Sequence, residues 1–179
     1  MNRLNPDICV DIRKWDYKAV FKPGDFDIVW ASPPCTHYSR AKTVGERDFR
    51  TYDAIAKKCF EVIEYLRPNC WFVENPGKGG LMDKRPFMKR FEKYKHECCY
   101  CKYGKPYKKP TNIWTNVRDL RLSVCNKDTP CRYYKIHKKH KNTVQSGAPS
   151  NRPHLYESVT TNIKDRYSVP YNLIKNLIK

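Results

Sequence analysis

One cysteine follows two prolines at the end of an apolar segment. The segment Phe26–Ser39 reads Phe-Asp-Ile-Val-Trp-Ala-Ser-Pro-Pro-Cys-Thr-His-Tyr-Ser. Its apolar run, Ile28–Trp30, is typical of a central parallel strand. Pro33 and Pro34 must end that strand, because proline cannot donate to a ladder and restricts the residue before it. Cys35 then lies just past the carboxyl end of the strand, where open α/β sheets bind ligands. This position favours a nucleophilic cysteine over a buried, inert thiol, the usual state of a free cysteine.

A second apolar segment ends in an acid and an amide. Residues Cys70–Gly77 read Cys-Trp-Phe-Val-Glu-Asn-Pro-Gly. Taken alone, Glu74 would be a surface acid or a helix cap. Its place directly after an apolar strand, beside Asn75 and before Pro-Gly, favours a functional role instead. Two strands of one parallel sheet would bring Cys35 and Glu74 to the same edge.

The segment between these strands has the periodicity of a helix. Apolar residues recur every three or four positions over Tyr52–Leu66, and Pro68 ends the pattern. Strand, helix and parallel strand form a βαβ unit, which is right-handed in nearly all proteins. Further elements are predicted as strands at Asp7–Ile12 and before Asn116, a short helix at Lys84–Phe91 and a helix after Pro170.

The composition indicates one basic domain that binds a polyanion. The 179 residues include 36 Lys plus Arg and 18 Asp plus Glu, a formal net charge of +18. This excess favours nucleic acid as the partner; a basic protein that is simply soluble, or one that binds a membrane surface, is the alternative. No secretory signal and no apolar run long enough to span a bilayer is present. The nine cysteines are then expected in a reducing, intracellular location.

These motifs resemble those of a known family. Pro33–Cys35 with Ser39, followed by Glu74–Pro76, are similar to the Pro-Cys and Glu-Asn motifs of DNA cytosine-5 methyltransferases. The small enzymes of this family from phages and large DNA viruses are the most similar, in the segments Trp30–Thr36, Tyr103–Tyr107 and Tyr167–Pro170. The resemblance covers nearly the whole chain from about Asp7.

The resemblance implies the fold and its division. The fold class is α/β, a partial Rossmann-like fold of S-adenosylmethionine-dependent methyltransferases with a small, basic, irregular insertion. Residues 1–116 would form a truncated catalytic core, and 117–166 a small target-recognition-like segment. Residues 167–179 would form a terminal helix that packs back on the core, with a position on a membrane surface as the alternative.

The resemblance also implies catalytic roles. Cys35 would attack C6 of a flipped-out cytosine, and a protonated Glu74 would hydrogen-bond the ring near N3 and stabilise the charge that develops there. C5 then takes the methyl group of S-adenosylmethionine. Nearby positive charge is expected to lower the pKa of the Cys35 thiol. Ser39 would lie near the phosphate of the flipped nucleotide, and Asn75 would place Glu74 and the loop.

Cofactor binding is implied for two residues. Asp11 matches the acid that accepts a hydrogen bond from the adenine amino group of S-adenosylmethionine, with a plain loop aspartate as an equal alternative. Pro34 is assigned to the same site. Family members usually begin with a strand and a glycine-rich turn, which is absent here. Three explanations stay open: a start that lies upstream, a separate chain that supplies the missing segment, or a degenerate relative that no longer methylates.

Basic residues in three places are expected to contact double-stranded DNA. The loop Thr36–Asp48 resembles the family's mobile loop that closes over DNA. Lys109 best matches the first arginine of the Gln-x-Arg-x-Arg motif. The segment 117–166 is strongly basic and would meet phosphates. The residues assigned to DNA are Arg40, Lys42, Lys109, Arg132, Lys138 and Lys139.

Three cysteines and a histidine would make a closed tetrahedral zinc site. They are Cys101, Cys125, Cys131 and His140. Their spacing is irregular, with no Cys-x-x-Cys pair, so scattered core and surface thiols are the favoured alternative. A metal would hold together a segment that has few apolar residues.

The favoured function is a DNA (cytosine-5) methyltransferase. The alternative is a catalytically inactive, methyltransferase-like protein that binds nucleic acid, which the missing cofactor turn favours. The joint presence of Cys35, Ser39, Glu74 and Asn75 favours the enzyme. A basic packaging protein without a pocket is the third candidate.

Overall fold

A computed structural model describes residues 6–39, 42–143, 156–159, 165 and 167–178. The helices are α1 (Tyr17–Val20), α2 (Phe49–Leu66), α3 (Arg132–His137) and α4 (Tyr171–Leu177), and the strands are β1 (Ile28–Ala31), β2 (Cys70–Pro76), β3 (Lys95–Cys99), β4 (Pro110–Thr115), β5 (His140–Thr143) and β6 (Tyr156–Val159). Three 3₁₀ segments lie at Met82–Lys84, Pro86–Tyr94 and Tyr100–Tyr103. None of the helices among these residues is long and apolar enough to cross a bilayer.

The main sheet is mixed and has four strands in the order β1-β2-β4-β3. β1 and β2 are parallel and are joined through α2, as the sequence predicts. β4 lies antiparallel to both β2 and β3. A separate parallel pair, β5-β6, follows in the basic segment. The fold is therefore a mixed α/β sheet with helices.

A side-chain hydrogen bond marks the start of helix α2, and a left-handed residue marks its end. The Asp48 carboxylate accepts a hydrogen bond from the Thr51 backbone N–H at 2.9 Å, so the helix begins three residues before the predicted Tyr52. Arg67 ends it in the left-handed conformation, at φ +49°, just before Pro68. The apolar face of the helix packs on the sheet through buried residues that include Ala56, Cys59, Phe60, Ile63 and Leu66.

Alternate residues of the central strands point into two different cores. On one face Val73 and Trp114 pack with Phe60 of α2 and with Met88 and Phe91. On the other face Phe72 and Ile113 pack against a cluster that includes Tyr100, Tyr107, Leu173 and Leu177. The last two are the buried residues of α4, so this helix packs on the sheet through its apolar stripe.

Two sequence predictions about the first part of the chain are wrong. Asp7–Ile12 is not a strand, because it pairs with no strand among the described residues and the Asp11 side chain instead accepts from the Arg13 backbone N–H. β1 is not a central strand either. Within the described part of the chain it pairs only with β2, and Ile28 is 48% exposed.

The segment predicted as a short helix at Lys84–Phe91 forms a longer 3₁₀ helix. It covers Pro86–Tyr94, and Met88 and Phe91 are its buried residues. The predicted apolar side is therefore the buried side, although the helix type and the bounds differ.

Candidate active site

A compact turn presents Cys35 after β1. The backbone N–H groups of Tyr38 and Ser39 both donate to the Cys35 carbonyl oxygen, at 2.9 and 2.8 Å. The fully buried Asn75 of β2 donates through Nδ2 to the Pro33 carbonyl oxygen at 3.0 Å. This bond ties the segment that leads to Cys35 to the neighbouring strand.

A second set of contacts fastens the same turn to α2. Tyr38 is fully buried, and its hydroxyl donates to Asp53 Oδ1 at 2.7 Å. The Arg85 guanidinium holds both carboxylate oxygens of Asp53, with distances of 2.9 to 3.1 Å. Burial and the neighbouring Asp53 carboxylate raise the pKa of Tyr38 well above its ordinary value, so the hydroxyl stays a donor.

Glu74 lies in β2 and is 8% exposed. The Tyr100 hydroxyl donates to its Oε1 at 3.0 Å. Lys109 Nζ lies 3.4 Å from the same oxygen and 4.7 Å from the centre of the Tyr100 ring. Both contacts fall on one oxygen, so they fix the orientation of the carboxyl group.

Cys35 shares this electrostatic environment. Burial raises the pKa of the Cys35 thiol, the Lys109 ammonium lowers it and the Glu74 carboxylate raises it, with burial the largest effect. The prediction that positive charge would lower the pKa overall is therefore wrong. Lys109 does act in the predicted direction, but the desolvation of the thiol outweighs it. Cys35, Glu74 and Lys109 thus belong to one site.

The strand that carries Glu74 is packed closely against β4. Asn75 lies opposite Asn112 in the register, and the Oδ1 atoms of both are buried acceptors that have no hydrogen-bond donor within the described residues. At Gly77 an added Cβ would lie 2.9 Å from Asn112 Oδ1 and from the Thr111 backbone. Glycine is therefore required for this approach of the two strands.

The loop after Cys35 is organised by Arg47, one of its basic residues. Arg47 donates to the carbonyl oxygens of His37, Ser39 and Lys42, at 2.6, 3.0 and 2.8 Å. Lys42 itself donates to the Val44 carbonyl oxygen at 2.9 Å. Arg40, also predicted to bind DNA, lies outside the described residues.

The two predicted cofactor residues are not joined in one polar site. Asp11 is paired with Arg13 at 2.6 Å, and the hydrogen bonds from Arg13 lower the pKa of Asp11 to about 2. Pro34 is exposed at the turn before Cys35. Beside β1 lies an apolar groove of about 310 Å³, whose lining includes Ile12 and Trp30.

These residues do not by themselves fit S-adenosylmethionine. The groove is lined by aliphatic and aromatic residues and one cysteine, whereas ribose hydroxyls and an amino acid need hydrogen-bond partners. The Asp11 carboxylate that would serve adenine is already held by Arg13. The described part of the chain therefore supplies apolar walls beside β1 but not a complete cofactor site.

The predicted DNA-binding cations of the basic segment lie on and after α3. Arg132 and Lys138 are exposed, and Lys139 is half-buried. A groove of about 620 Å³ lies between the β3–β4 pair and this segment, with Lys108 and Lys127 among its lining residues. The elements that carry these cations are different from β1 and β2, which position Cys35 and Glu74.

The four predicted metal ligands are brought together. The Sγ atoms of Cys101, Cys125 and Cys131 and a ring nitrogen of His140 all lie within 4.8 Å of one another. Cys101 lies in the 3₁₀ turn after β3, the other two cysteines precede α3, and His140 begins β5. Three connections of the chain therefore meet at this cluster.

Sequence reasoning missed Tyr38, Asp53, Arg85 and Tyr100. Tyr100 contacts Glu74 directly, whereas Arg85 holds Asp53, which accepts from Tyr38 in the turn of Cys35. These contacts join residues 15 to 32 positions apart in the chain. None lies in a recognisable motif, and tyrosine is common in this chain, with 13 copies. Only the close spacing of Tyr38 to Cys35 could have suggested a positioning role.

The fold and site define a mixed α/β protein in which a thiol and a buried carboxyl group lie at the ends of two parallel strands. No protein-family model matches the chain. Over 138 residues the chain is 31% identical to a protein of Frog virus 3 (isolate Goorha) named "Probable DNA (cytosine-5)-methyltransferase". The chain is thus a relative of the DNA cytosine-5 methyltransferase family, as its motifs predict. The match covers 70% of this chain and 62% of the viral protein, so the chain spans about three fifths of that relative's length.

Proposed function

We propose that the chain acts as a DNA (cytosine-5) methyltransferase. Methyl transfer from S-adenosylmethionine to C5 of a flipped-out cytosine would pass through a covalent adduct with Cys35. The observation that carries this proposal is the shared environment of Cys35, Glu74 and Lys109 at the carboxyl ends of β1 and β2. The similarity to the viral protein supports it. Double-stranded DNA inside a cell would be the substrate.

The first step is the attack of Cys35 on the base. The thiol loses its proton, and the thiolate Sγ forms a bond to C6 of the cytosine while the C5–C6 double bond opens. Burial keeps the thiol neutral at rest, whereas the positive charge of Lys109 favours the thiolate. Electron density then accumulates on N3 and C5 of the ring.

Glu74 would stabilise this charge by donating a hydrogen bond to N3, for which it carries a proton when the base is bound. Tyr100 and Lys109 hold its Oε1, so the carboxyl group is oriented before the base arrives, which is the condition for effective electrostatic stabilisation. S-adenosylmethionine, held in a site that a further segment completes, would supply an electrophilic methyl group for C5. Loss of the C5 proton then re-forms the double bond and breaks the Sγ–C6 bond, which releases Cys35.

A further polypeptide would complete the cofactor site. Within the described residues the free edge of β1 and the apolar groove beside it are unpartnered surfaces, and an exposed strand edge is a template for another strand. We propose that a separate chain supplies the cofactor-binding segment there. The predicted Rossmann-like sheet would then extend beyond β1.

The second candidate is a methyltransferase-like protein that binds nucleic acid without methylating it. The observation that favours it is the engagement of Asp11 by Arg13 together with the apolar lining of the groove. This candidate keeps the salt-sensitive DNA binding of a chain with net charge +18. It assigns no reaction to Cys35.

Two assays on the same protein separate these functions. The first follows a radiolabelled methyl group from S-adenosylmethionine to C5 of cytosine in duplex DNA. The second follows tritium release from DNA labelled at cytosine C5, which requires only the Cys35 adduct and proton exchange. We expect tritium release from the chain alone, and methyl transfer once the segment that completes the cofactor site is supplied. Both signals should vanish in Cys35→Ser and persist in Cys9→Ser, a change at an exposed thiol.

Each outcome distinguishes one candidate. Tritium release without methyl transfer would mean that the cysteine chemistry is present and the cofactor segment is missing. Neither signal, with DNA binding intact in wild type and Cys35→Ser, would support the binding protein and refute the enzyme.

A further inference from the structure

The cluster of Cys101, Cys125, Cys131 and His140 has the chemistry of a metal centre. Three thiols and one imidazole are the donors that a closed zinc site uses. Cys125, Cys131 and His140 are 5%, 2% and 5% exposed, and Cys101 is half-buried. Four protein donors leave no coordination position for water, which distinguishes a structural site from a catalytic one.

One donor separation matches tetrahedral coordination, and the other donor atoms lie within about 1 Å of the spacing that it needs. With Zn–S bonds of about 2.3 Å and a Zn–N bond of about 2.0 Å, neighbouring donors should lie roughly 3.5 to 3.8 Å apart. Cys125 Sγ lies 3.5 Å from His140 Nε2, and all four donor atoms lie within 4.8 Å of one another. The Cys131 backbone N–H also donates to Cys125 Sγ at 3.3 Å. Such a bond orients a thiolate ligand, as surrounding hydrogen bonds do in metal sites.

A purely apolar core explains the cluster less well. The surrounding apolar group is small, with Cys99, Val124, Tyr133 and Tyr134 as the members other than the ligands. A buried imidazole beside three thiols gains little stabilisation from so small an apolar group. Because four polar donors converge where few aliphatic groups are available, a bound metal is the better source of stability.

We propose that these four residues bind one zinc ion, which fastens the basic segment to the catalytic sheet. The ion would join the turn after β3, the loop before α3 and the start of β5. Two hydrogen bonds follow the same path: the Cys99 backbone N–H donates to the Ser123 carbonyl oxygen at 3.0 Å, and Lys102 Nζ donates to the Pro130 carbonyl oxygen at 3.1 Å.

The zinc ion would also support the active site indirectly. Cys101 directly follows Tyr100, whose hydroxyl donates to Glu74. The Tyr100 backbone N–H donates to the Lys109 carbonyl oxygen at 3.1 Å. A metal that fixes this turn therefore fixes both contacts of Glu74 Oε1. This consequence rests on the proposed function, whereas zinc binding itself does not.

Metal content and cobalt spectroscopy of the full chain test the site without any activity assay. The protein is purified under reducing conditions and its zinc is measured by mass spectrometry. The chain stripped of metal is then titrated with Co²⁺. We expect one zinc per chain, and a cobalt form with the intense visible bands of a tetrahedral ion and a thiolate charge-transfer band.

Variants assign the ligands. Cys131→Ser and His140→Ala should lose the cobalt spectrum, whereas His140→Cys, which restores four donors, should keep a tetrahedral one. Cys99→Ser changes a buried thiol in the same cluster that is not one of the four ligands, and should keep it. Hydrogen exchange of residues 120–143 should speed up by at least tenfold when the metal is removed.

Four results would overturn the proposal. The first is a reduced chain that holds no zinc and gives no tetrahedral cobalt spectrum. The second is a disulfide between two of the four cysteines under the same conditions. The third is a cobalt spectrum that survives Cys131→Ser but is lost in Cys99→Ser. The fourth is unchanged hydrogen exchange of residues 120–143 after the metal is removed, which would refute the fastening role.

Discussion

Replacing Lys109 by methionine should affect both the stability of the chain and the reactivity of the Cys35 thiol. Lys109 is paired with the buried Glu74 at 3.4 Å, and it is the cation that lowers the pKa of Cys35. Methionine keeps much of the side-chain volume and removes the charge. Glu74 is then left without its ion-pair partner beside the thiol.

The geometry gives the size of the effect on stability. At an effective dielectric constant of about 20, two unit charges 3.4 Å apart attract by about 5 kcal/mol. The side chains of Lys109 and Glu74 are 16% and 10% exposed, and loss of one partner of a buried pair costs about 3 to 5 kcal/mol. Because Tyr100 still donates to the same oxygen, we expect the lower figure, about 3 kcal/mol.

The pKa of Cys35 should rise further in Lys109→Met, because the ammonium group that lowers it is removed. At a given pH the thiolate fraction falls, so the pH midpoint of alkylation moves to higher pH. Tryptic cleavage isolates Cys35 on the peptide 19–40, which contains no other cysteine, so mass spectrometry can follow this thiol alone.

The double variant Lys109→Met/Glu74→Gln is the matched control. It removes both charges, so the alkylation midpoint should return toward wild type and most of the lost unfolding free energy should be regained. Urea unfolding measures the latter. A midpoint that stays unchanged, or moves to lower pH, in Lys109→Met would refute the electrostatic reasoning.

Three further predictions concern the frame of the site. Tyr38→Phe removes the hydroxyl that donates to Asp53 and should lower the unfolding free energy in urea by about 1.5 to 3 kcal/mol. Gly77→Ala places a methyl group 2.9 Å from Asn112 Oδ1 and should cost about 1 to 3 kcal/mol in the same assay; an unchanged midpoint would contradict the close approach. Burial raises the pKa of Cys59 from 9.0 to about 11, so its contribution to stability is complete below pH 9 and is lost as pH rises through 11. The melting temperature should fall over that range, and less steeply in Cys59→Ala.

The elements that the sequence predicted well have strong local signals. In α2, apolar residues recur every three or four positions over several turns, and a proline follows its end. β1 and β2 are short apolar runs with polar residues or prolines at their ends. Asp7–Ile12 shows the limit of that reasoning. Its composition suits a strand, but a strand exists only when another strand pairs with it, and pairing is not a local property.

The residues of the candidate site also differ in how well local sequence patterns predict them. Cys35, Glu74 and Asn75 lie in recognisable motifs. The contacts of Tyr100 and Lys109 with Glu74 depend on β4 inserting antiparallel between β2 and β3, which no local pattern specifies. The direction of the Cys35 pKa shift depends on how deeply the thiol is buried, and burial is set by the packed structure.

The raised pKa of Cys35 has a consequence for the lifetime of the protein under oxidising stress. Peroxide attacks the thiolate and converts it first to sulfenic acid and then to forms that cells do not reduce. Because burial keeps Cys35 protonated at rest, it presents little thiolate to an oxidant. In the proposed reaction the base would be held against Cys35, so a low thiolate fraction would be tolerable there, whereas a passing oxidant meets Cys35 only briefly. The burial that would make the proposed reaction of Cys35 depend on a bound base therefore also protects this thiol from oxidation.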